Sequence, residues 1–311
     1  MPRNISVVIP IFNEARIIKE LVIKLKEVAA RLLFVFEFIF VNDGSSDDSL
    51  NILLDFAGSD KRIKIINLSR NFGHQQAISA GMEYALGDAV ILMDADMEDR
   101  PEDLPCLIDK WQEGFDVVYA VRKSRKVSIL KNLCFSCFHA LNRVFSEVPM
   151  EPTGIFGLMD RKVADQVKRL GEKNRYIPGL RSWVGFRQAS VLLERGRRYD
   201  GKPRVTFGKL INLAMNSYFA FSKRPMRIAA FLGFFLSFFS FAGLVFVITF
   251  QMVMKFKVSG WASLATLILF ISSMQFACMG IMGEYIGRIF DEAKERPLYI
   301  VRDTYNLSKD L

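Results

Sequence analysis

The sequence predicts an α/β domain built on a mainly parallel sheet, followed by a hairpin of two membrane-spanning helices. Two observations predict this fold class. In the first part of the chain, short β-branched runs alternate with stretches that carry apolar residues at helical spacing. Further on, residues 228–254 and 258–283 contain no Asp, Glu, Lys or Arg. The 311 residues, of which 51% are hydrophobic, exclude a disordered or collagen-like chain.

The first strand signal spans residues 5–10 and ends at Pro10, and apolar residues at helical spacing follow over residues 14–32. Three further strand and helix pairs repeat this pattern, and a fifth strand signal closes the series. The later strand signals are 36–43, 63–69, 89–94 and 115–121, and the helix signals between them are 46–56, 75–85 and 102–111. This alternation indicates a parallel sheet that is covered by helices on both faces.

The middle of the chain carries weaker signals. Residues 129–145 have helical spacing, and residues 153–170 predict a strand or turn that leads into a helix. After a basic loop, residues 210–221 mix apolar and aromatic side chains with few charges, which predicts an amphipathic helix at a lipid interface.

Each of the two uncharged segments exceeds the length of about 20 apolar residues that a helix needs to cross a bilayer. Because the link between them is short, both flanks of the predicted hairpin lie on the same side. Basic residues are more numerous on the flanks than in the link, so we expect the flanks and both termini in the cytosol. The predicted divisions are a cytosolic catalytic domain (1–207), an interfacial helix (208–227), the hairpin (228–283) and a cytosolic tail (284–311).

The net charge of +9 suggests an acidic partner. No base-reading or RNA-binding signature accompanies the basic residues, so we expect no nucleic acid. They flank the uncharged segments, which favours membrane headgroups and lipid phosphates as partners. The four cysteines do not form a disulfide framework, and neither His74 nor His139 has a partnered nucleophile, which argues against a Ser-His-Asp hydrolase. His74 follows a strand signal and is expected near the ligand.

Acidic side chains follow the fourth predicted strand. Asp94 and Asp96 are separated by one residue at what should be the carboxyl edge of the sheet. Hard divalent cations such as Mg²⁺ bind one or two such carboxylates and complete their shell with water and substrate phosphates. The pair therefore suits a metal-bound nucleotide diphosphate, although a turn or helix cap is the alternative explanation for an isolated Asp-x-Asp.

Two more strand ends carry groups that suit a nucleobase. Asp43 closes the second strand signal, and its carboxylate could accept hydrogen bonds from a base, while helix capping is the alternative for the segment 43–47. Phe12 and Glu14 follow the first strand, where an aromatic ring could stack and a carboxylate could bond. Because the carboxyl ends of parallel strands share one edge, these residues predict a single crevice.

Five segments in order carry a resemblance to a known family: VIPIFNE, VNDGSSDDS, LSRNFGHQQAISAG, LMDADMEDRPE and GEYIGRIFDEAKERPLY. Together the chain resembles a family 2 glycosyltransferase of the polyisoprenyl-phosphate glycosyltransferase type, over nearly its whole length. The resemblance implies a GT-A fold and inverting transfer of a hexose, from UDP-glucose or a related UDP-sugar, to polyprenyl (undecaprenyl) phosphate. It also implies a homo-oligomer in the bacterial cytoplasmic membrane.

The resemblance also implies roles for particular residues. Asp94 would bind the ribose or diphosphate, and Asp96 would bind Mg²⁺ or Mn²⁺. Arg122 would meet phosphate, and together with Asp94 and Asp96 it forms the expected catalytic set. The residues expected to hold the base are Pro10, Phe12, Glu14 and Asp43. The acceptor phosphate is expected at Arg122, Arg198 and Arg204, for the last two of which a solvated charge run facing the membrane is the alternative.

One position departs from the family pattern. Where relatives have Gly-Asp-Phe, with the aspartate regarded as the catalytic base, this chain has Ile155, which cannot accept a proton. A phosphate monoester has a second pKa near 6 and is mostly dianionic at neutral pH, so no proton need be removed and we expect an active enzyme. The alternatives are a catalytically impaired, nucleotide-sugar-binding scaffold and a polysaccharide synthase, which should have more spans and a QxxRW-type segment.

Overall fold

The computed structural model describes residues 3–122, 154–194 and 260–307, with scattered positions between 226 and 249. The elements of the first range are β1 (Asn4–Ile11), α1 (Ala15–Ala30), β2 (Val35–Asn42), α2 (Ser49–Ser59), β3 (Ile63–Leu68), α3 (His74–Tyr84), β4 (Ala89–Leu92), a 3₁₀ turn (Pro101–Asp103), α4 (Leu104–Gln112) and β5 (Val117–Arg122). Those of the later ranges are β6 (Gly157–Asp160), α5 (Arg161–Arg169), α6 (Ile177–Trp183), β7 (Gln188–Leu193), α7 (Trp261–Ala293) and β8 (Val301–Tyr305).

The strands of the described residues form one sheet in the order β7-β5-β6-β4-β1-β2-β3-β8. The central strands β4, β1, β2 and β3 pair in parallel, and β7 pairs in parallel with β5. β6 runs antiparallel between β4 and β5, and β8 runs antiparallel along the edge of β3. The predicted α/β class and the mainly parallel sheet are confirmed.

The order of the strands creates a crevice. From β1 the chain proceeds to β2 and β3 on one side, and then crosses to β4 on the other side of β1. The helices that follow β1, β2 and β4 pack on one face of the sheet and α3, which follows β3, packs on the other, so that the connections separate at the carboxyl edge. In open α/β sheets such a switch point is where ligands bind.

The core consists of two apolar layers, one on each face of the sheet. In β1 the side chains alternate, so that Val7 and Ile9 pack in the layer under α1, α2 and α4, and Val8 packs in the layer under α3, α5 and α6. Helix α3 approaches the sheet closely at Gly81, where a Cβ atom would lie 2.2 Å from Cγ1 of Val8. The strand residues that lead to the crevice are thus held in a close-packed interior.

Three strands depart from the sequence prediction. β6 lies in the segment that predicts a strand or turn, but it inserts antiparallel between β4 and β5. β7 and β8 were not predicted, and β8 lies in the predicted cytosolic tail. β8 has only five residues, and its identity as a strand depends on pairing with β3, which lies far away in the chain. A local pattern does not reveal such a pairing.

The predicted membrane segments are not supported. In the parts of the chain that the structure describes, no helix combines the length and the apolarity needed to cross a bilayer. The predicted helix 129–145 lies outside the described residues, as do most of the interfacial helix 208–227 and of the first arm of the hairpin, 228–254. Helix α7 runs without a break through the predicted boundary at residue 283.

Replacement of Gly81 by alanine tests the close approach of α3 to the sheet. The added methyl group would collide with Val8, so we expect Gly81→Ala to lower the free energy of unfolding by about 1–3 kcal/mol. Gly58 in α2 is a matched control, because a Cβ atom there meets nothing within 4 Å. Chemical denaturation should show no loss for Gly58→Ala, and an equal loss in both variants would contradict the packing at Gly81.

Candidate active site

A cleft of about 430 Å³ opens at the switch point, at the carboxyl ends of β1, β2 and β4. Residues at the ends of β1, β2, β3 and β4 line it. Those predicted from the sequence and found on its walls are Pro10, Phe12, Glu14, Asp43, Asp94 and Asp96. The structure therefore brings together the predicted base-binding, diphosphate-binding and metal-binding residues.

Asp43 holds the loop between β3 and α3. Its Oδ1 accepts a hydrogen bond from the backbone N–H of Phe72 at 2.7 Å, and its Oδ2 accepts one from the N–H of Gly73 at 3.0 Å. The Asp43 residue is only 3% exposed, and its own N–H donates to the carbonyl of Ile11. A buried carboxylate is tolerated when such bonds satisfy it. Because the two donors immediately precede α3, Asp43 also determines where this helix begins.

Opposing effects act on the pKa of Asp43. Burial raises it, because desolvation disfavours the charged carboxylate, whereas the bonds from Phe72 and Gly73 and the nearby positive charges lower it. Burial prevails, and the pKa of Asp43 lies above its ordinary value.

The same loop is confined from a second side by Gly44. This residue has a φ of +67°, and a Cβ atom on it would lie 2.5 Å from the backbone of Arg70 and Asn71. Only glycine allows both the left-handed backbone and the close approach. Arg70 in turn stacks its guanidinium on the ring of Phe72, 4.1 Å from the ring centroid.

His74, the first residue of α3, reaches across the cleft. Its Nε2 lies 2.7 Å from Oδ1 of Asp94, which follows β4. The His74 and Asp94 side chains are 46% and 34% exposed, so both remain accessible from the cleft. The hydrogen bond fixes one oxygen of Asp94 and links the loops that follow β3 and β4.

The surroundings of His74 favour its charged form. Burial lowers the pKa of the imidazole, but the hydrogen bond to Asp94 and the charges of Asp94, Asp43 and Asp96 together outweigh that effect. The pKa of His74 is therefore raised above 6.5.

Asp96 sits in the turn after β4. Its Oδ1 accepts a hydrogen bond from the N–H of Glu98 at 3.0 Å, and Met97 adopts a left-handed φ of 61° between them. Nearby, the N–H of Asp94 donates to the carboxylate of the buried Asp99. The turn thus directs two carboxylates into the cleft from positions one residue apart.

These carboxylates fit the predicted divalent cation. Asp94 and Asp96 offer hard oxygen ligands of the kind that Mg²⁺ and Mn²⁺ prefer. Among the described residues, no group of three or more His, Cys, Asp or Glu side chains could hold an ion alone. An ion that takes one or two carboxylates and completes its shell with substrate phosphates and water agrees with both observations.

The loop after β1 is tied to the loop after β2. The N–H of Asn13 donates to Oγ of Ser45 at 3.0 Å, and the N–H of Ser46 donates to Oδ1 of Asn13 at 2.8 Å. Asn13 has a φ of 56°, which asparagine tolerates better than most residues. Phe12, beside it, exposes 45% of its surface at the mouth of the cleft, where an aromatic ring can stack on a base.

The predicted arginines are not found on the walls of this cleft. Arg122 is the last residue of β5 and pairs with Leu193 of β7, and it does not line the cleft. Arg198 and Arg204 lie outside the described residues. Their roles in binding phosphate remain predictions.

The sequence matches the profile of the family described as Glycosyl transferase family 2 over residues 6–165. The chain belongs to glycosyltransferase family 2. An uncharacterized glycosyltransferase, YkcC of Bacillus subtilis, is 42% identical over 99% of this chain and 96% of its own length. The bactoprenol glucosyl transferase of Shigella phage SfV is 37% identical over 96% of this chain and 98% of its own length.

The resemblance to the polyisoprenyl-phosphate type is thereby confirmed, and the protein is a glycosyltransferase. Among solved structures, the mannosyltransferase PcManGT from Pyrobaculum calidifontis, in complex with GDP-Man and Mn²⁺, is 16% identical. It aligns with a TM-score of 0.46 over 65% of this chain and 59% of its own.

The unusual Ile155 of this glycosyltransferase lies two residues before the start of β6. Gly157 pairs with Leu92, so Ile155 lies at the level of Asp94 along the sheet. Its carbonyl accepts a hydrogen bond from Arg181 at 3.3 Å, and the carbonyl of Gly154 accepts another at 3.2 Å. Arg181 therefore fixes the backbone at this position, and residue 155 contributes no carboxylate.

Arg181 is itself fully buried, and burial lowers the pKa of its guanidinium to about 10. A Cβ atom on Gly157 would lie 2.6 Å from Nη1 of Arg181. Glycine at position 157 thus makes room for the guanidinium beside the strand.

The cleft also contains residues that were not assigned from the sequence. Asn71 and Gly73 belong to its walls because Asp43 and Gly44 hold their loop there. In the sequence, the segment LSRNFG at a strand end indicates that His74 lies near the ligand. It does not indicate that His74 contacts Asp94.

A pH-dependent stability difference tests the His74–Asp94 contact. Because the pKa of His74 is raised in the folded protein, protonated His74 stabilises the fold. This stabilisation is fully present below pH 6.5, the ordinary pKa of histidine, and it is lost as the pH rises through the pKa of His74 in the folded protein. In metal-free buffer without nucleotide, we expect the thermal midpoint of the wild type to exceed that of His74→Gln more at about pH 6 than at about pH 9. His139→Gln, which changes the other histidine, is the comparison variant. If the difference in thermal midpoint between the wild type and His74→Gln instead grew with pH, it would contradict the contact.

Proposed function

We propose that this glycosyltransferase moves glucose, or a related hexose, from a UDP-sugar to the phosphate of a polyprenyl lipid. The observation that carries the proposal is the convergence of Glu14, Asp43, Asp94 and Asp96 on one cleft beside an exposed aromatic ring. The bactoprenol glucosyl transferases among the relatives support both the lipid phosphate acceptor and glucose as the transferred sugar.

In this proposal the nucleotide lies across the switch point. Phe12 stacks on the base, and Glu14 and Asp43 accept its hydrogen bonds. Asp43 already accepts two backbone bonds, and a carboxylate has capacity for a further one. Asp94, oriented by His74, meets the ribose or the diphosphate, which sets the diphosphate beside Asp96.

Asp96 would hold a Mg²⁺ or Mn²⁺ ion on the diphosphate. When bound, such an ion supplies positive charge that stabilises the departing diphosphate. The residues of the chain contribute the orientation of the donor, because His74 and the Glu98 N–H fix one oxygen each of Asp94 and Asp96.

The reaction is a single displacement with inversion. An oxygen of the acceptor phosphate forms a bond to the anomeric carbon while the bond from that carbon to the diphosphate breaks, and the nucleoside diphosphate leaves with the electron pair. A phosphate dianion carries no proton at the attacking oxygen, so the reaction needs no base at position 155. Alignment and charge neutralisation account for the larger part of the rate.

The acceptor chemistry also supports a location at the cytoplasmic face of a bacterial membrane. A polyprenyl phosphate keeps its chain in the bilayer, and an enzyme that uses it must work at headgroup depth. The uncharged segments 228–254 and 258–283 would attach the chain there, and Arg122, Arg198 and Arg204 would bind the acceptor phosphate. A homo-oligomer is part of the same proposal.

A transfer assay tests this function. Membranes containing the protein are incubated with labelled UDP-glucose, UDP-N-acetylglucosamine or GDP-mannose, undecaprenyl phosphate and Mn²⁺. We expect label from UDP-glucose in the lipid phase and little from the other two. Ile155 favours one competing function, a nucleotide-sugar-binding scaffold, and nucleotide binding without label transfer from any donor would support that alternative.

Asp96→Asn tests the assignment of the metal. Loss of the carboxylate that would bind the metal should lower kcat by at least about 100-fold, because the transition state loses charge stabilisation. Asp109→Asn, on the exposed face of α4, is the control and should leave kcat unchanged. Retention of activity by Asp96→Asn without added cation would refute the assignment.

Ile155→Asp tests whether a base is needed. Because the attacking phosphate is already ionised, we expect kcat at neutral pH to change by less than about tenfold. Ile155→Asn introduces a similar volume without a base and serves as the matched comparison. A gain of several orders of magnitude for aspartate alone would show that the natural chain is catalytically impaired.

A further inference from the structure

The C-terminal strand is bonded to the loops of the cleft through a row of buried polar side chains. Asn42 and Asn67, near the ends of β2 and β3, and Asp303, in the middle of β8, occupy paired positions on these neighbouring strands. Asn42 and Asn67 are only 2% and 5% exposed, although the strands around them consist mainly of aliphatic and aromatic residues. A buried amide is unfavourable unless its polar atoms are bonded, so these two positions require an explanation.

The bonds run in one direction across the sheet. Nδ2 of Asn67 donates to Oδ2 of Asp303 at 3.2 Å, and Nδ2 of Asn42 donates to Oδ1 of Asn67 at 2.9 Å. The Oδ1 of Asn42 then accepts a hydrogen bond from the backbone N–H of Ser45 at 3.3 Å. We call Asp303, Asn67 and Asn42 the amide relay.

The relay ends on the turns that form the cleft. Ser45 lies two residues after Asp43, and its Oγ accepts the hydrogen bond from the N–H of Asn13. Asn13 stands between Phe12 and Glu14, both of which line the cleft. An unbroken series of hydrogen bonds thus leads from the C-terminal strand to the loops after β2 and β1.

The C-terminal strand holds a third loop of the cleft directly. The N–H of Ser69 donates to the carbonyl of Ile300 at 2.9 Å, at the point where β3 passes into the loop of Asn71 and Gly73. Farther along, Nδ2 of Asn306 donates to the carbonyls of Ala57 and Ile63. These contacts secure β8 against β3 and α2, so that it can support the loops of the cleft.

We propose that the amide relay positions the loops that bind the nucleotide sugar, which makes the C-terminal strand part of the donor site. Asp303, Asn67 and Asn42 are positioning residues, because they act through the turns at Ser45 and Asn13 and do not line the cleft. The proposal deepens the proposed function and rests on it, since these loops are the ones expected to bind the UDP-sugar.

Variants of Asp303 test the proposal at an accessible residue. Asp303→Leu removes the acceptor at the end of the relay, whereas Asp303→Asn keeps an acceptor oxygen. We expect Asp303→Leu to raise the KM for UDP-glucose by about three- to tenfold, the effect of one lost hydrogen bond, with kcat within about twofold. Asp303→Asn should retain the wild-type KM. Thr304→Val is the matched control, because neighbouring residues of a strand point to opposite faces.

An exchange of partners tests the bond itself. Asn67→Asp opposes two carboxylates and should raise the KM for UDP-glucose by about tenfold. In the double variant Asn67→Asp with Asp303→Asn, the new amide can donate to the new carboxylate, and we expect the KM to return to within about threefold of the wild type. A role in stability alone would lower the thermal midpoint and leave the KM unchanged in every variant.

Hydrogen exchange provides a readout that does not depend on turnover. In Asp303→Leu, the backbone amides of residues 43–48 should exchange faster than in the wild type and in Asp303→Asn, since the bond to the Ser45 N–H is weakened. Unchanged exchange together with an unchanged KM in folded Asp303→Leu would overturn the proposal. If the wild type binds no UDP-glucose in the presence of Mn²⁺, the proposed function fails, whereas the exchange measurement still decides whether the relay positions the loops.

Discussion

The cleft depends on one buried carboxylate. Asp43, at the end of β2, accepts hydrogen bonds from the backbone of Phe72 and Gly73 and so decides where the loop after β3 ends and α3 begins. That constraint brings His74, which follows β3, to Asp94, which follows β4, although β1 and β2 lie between those two strands in the sheet. Burial raises the pKa of Asp43 because desolvation disfavours the charged carboxylate, and the hydrogen bonds from Phe72 and Gly73 oppose that effect.

Hydrogen bonds and close contacts join the loops of the cleft to one another. Gly44 presses on the loop after β3, Asn13 and Ser45 join the loops after β1 and β2, and His74 fixes Asp94 after β4. A site that must align a phosphate oxygen with an anomeric carbon benefits from such prior ordering, since little freedom is left to lose on binding.

The C-terminal segment extends this framework beyond the family motifs at the strand ends. Through β8 it completes the edge of the sheet, and through Asn67 and Asn42 it reaches the two turns nearest to the expected base. The motif GEYIGRIFDEAKERPLY, which ends helix α7, leads directly into this strand. Its place in the fold therefore lies at the junction between the long helix and the catalytic sheet.

The sequence by itself determined the α/β class, the first five strands and the acidic positions of the cleft, because periodicity and strand ends are local properties and the carboxyl ends of parallel strands share one edge. Only the tertiary structure decided that β6 enters antiparallel, that residues 301–305 form an edge strand, and that His74 meets Asp94. The tertiary structure also decided that Asn67 donates a hydrogen bond to Asp303 and that Asn42 donates one to Asn67. Each joins residues far apart in the chain, and no local pattern specifies which distant partner a strand or a polar side chain will find.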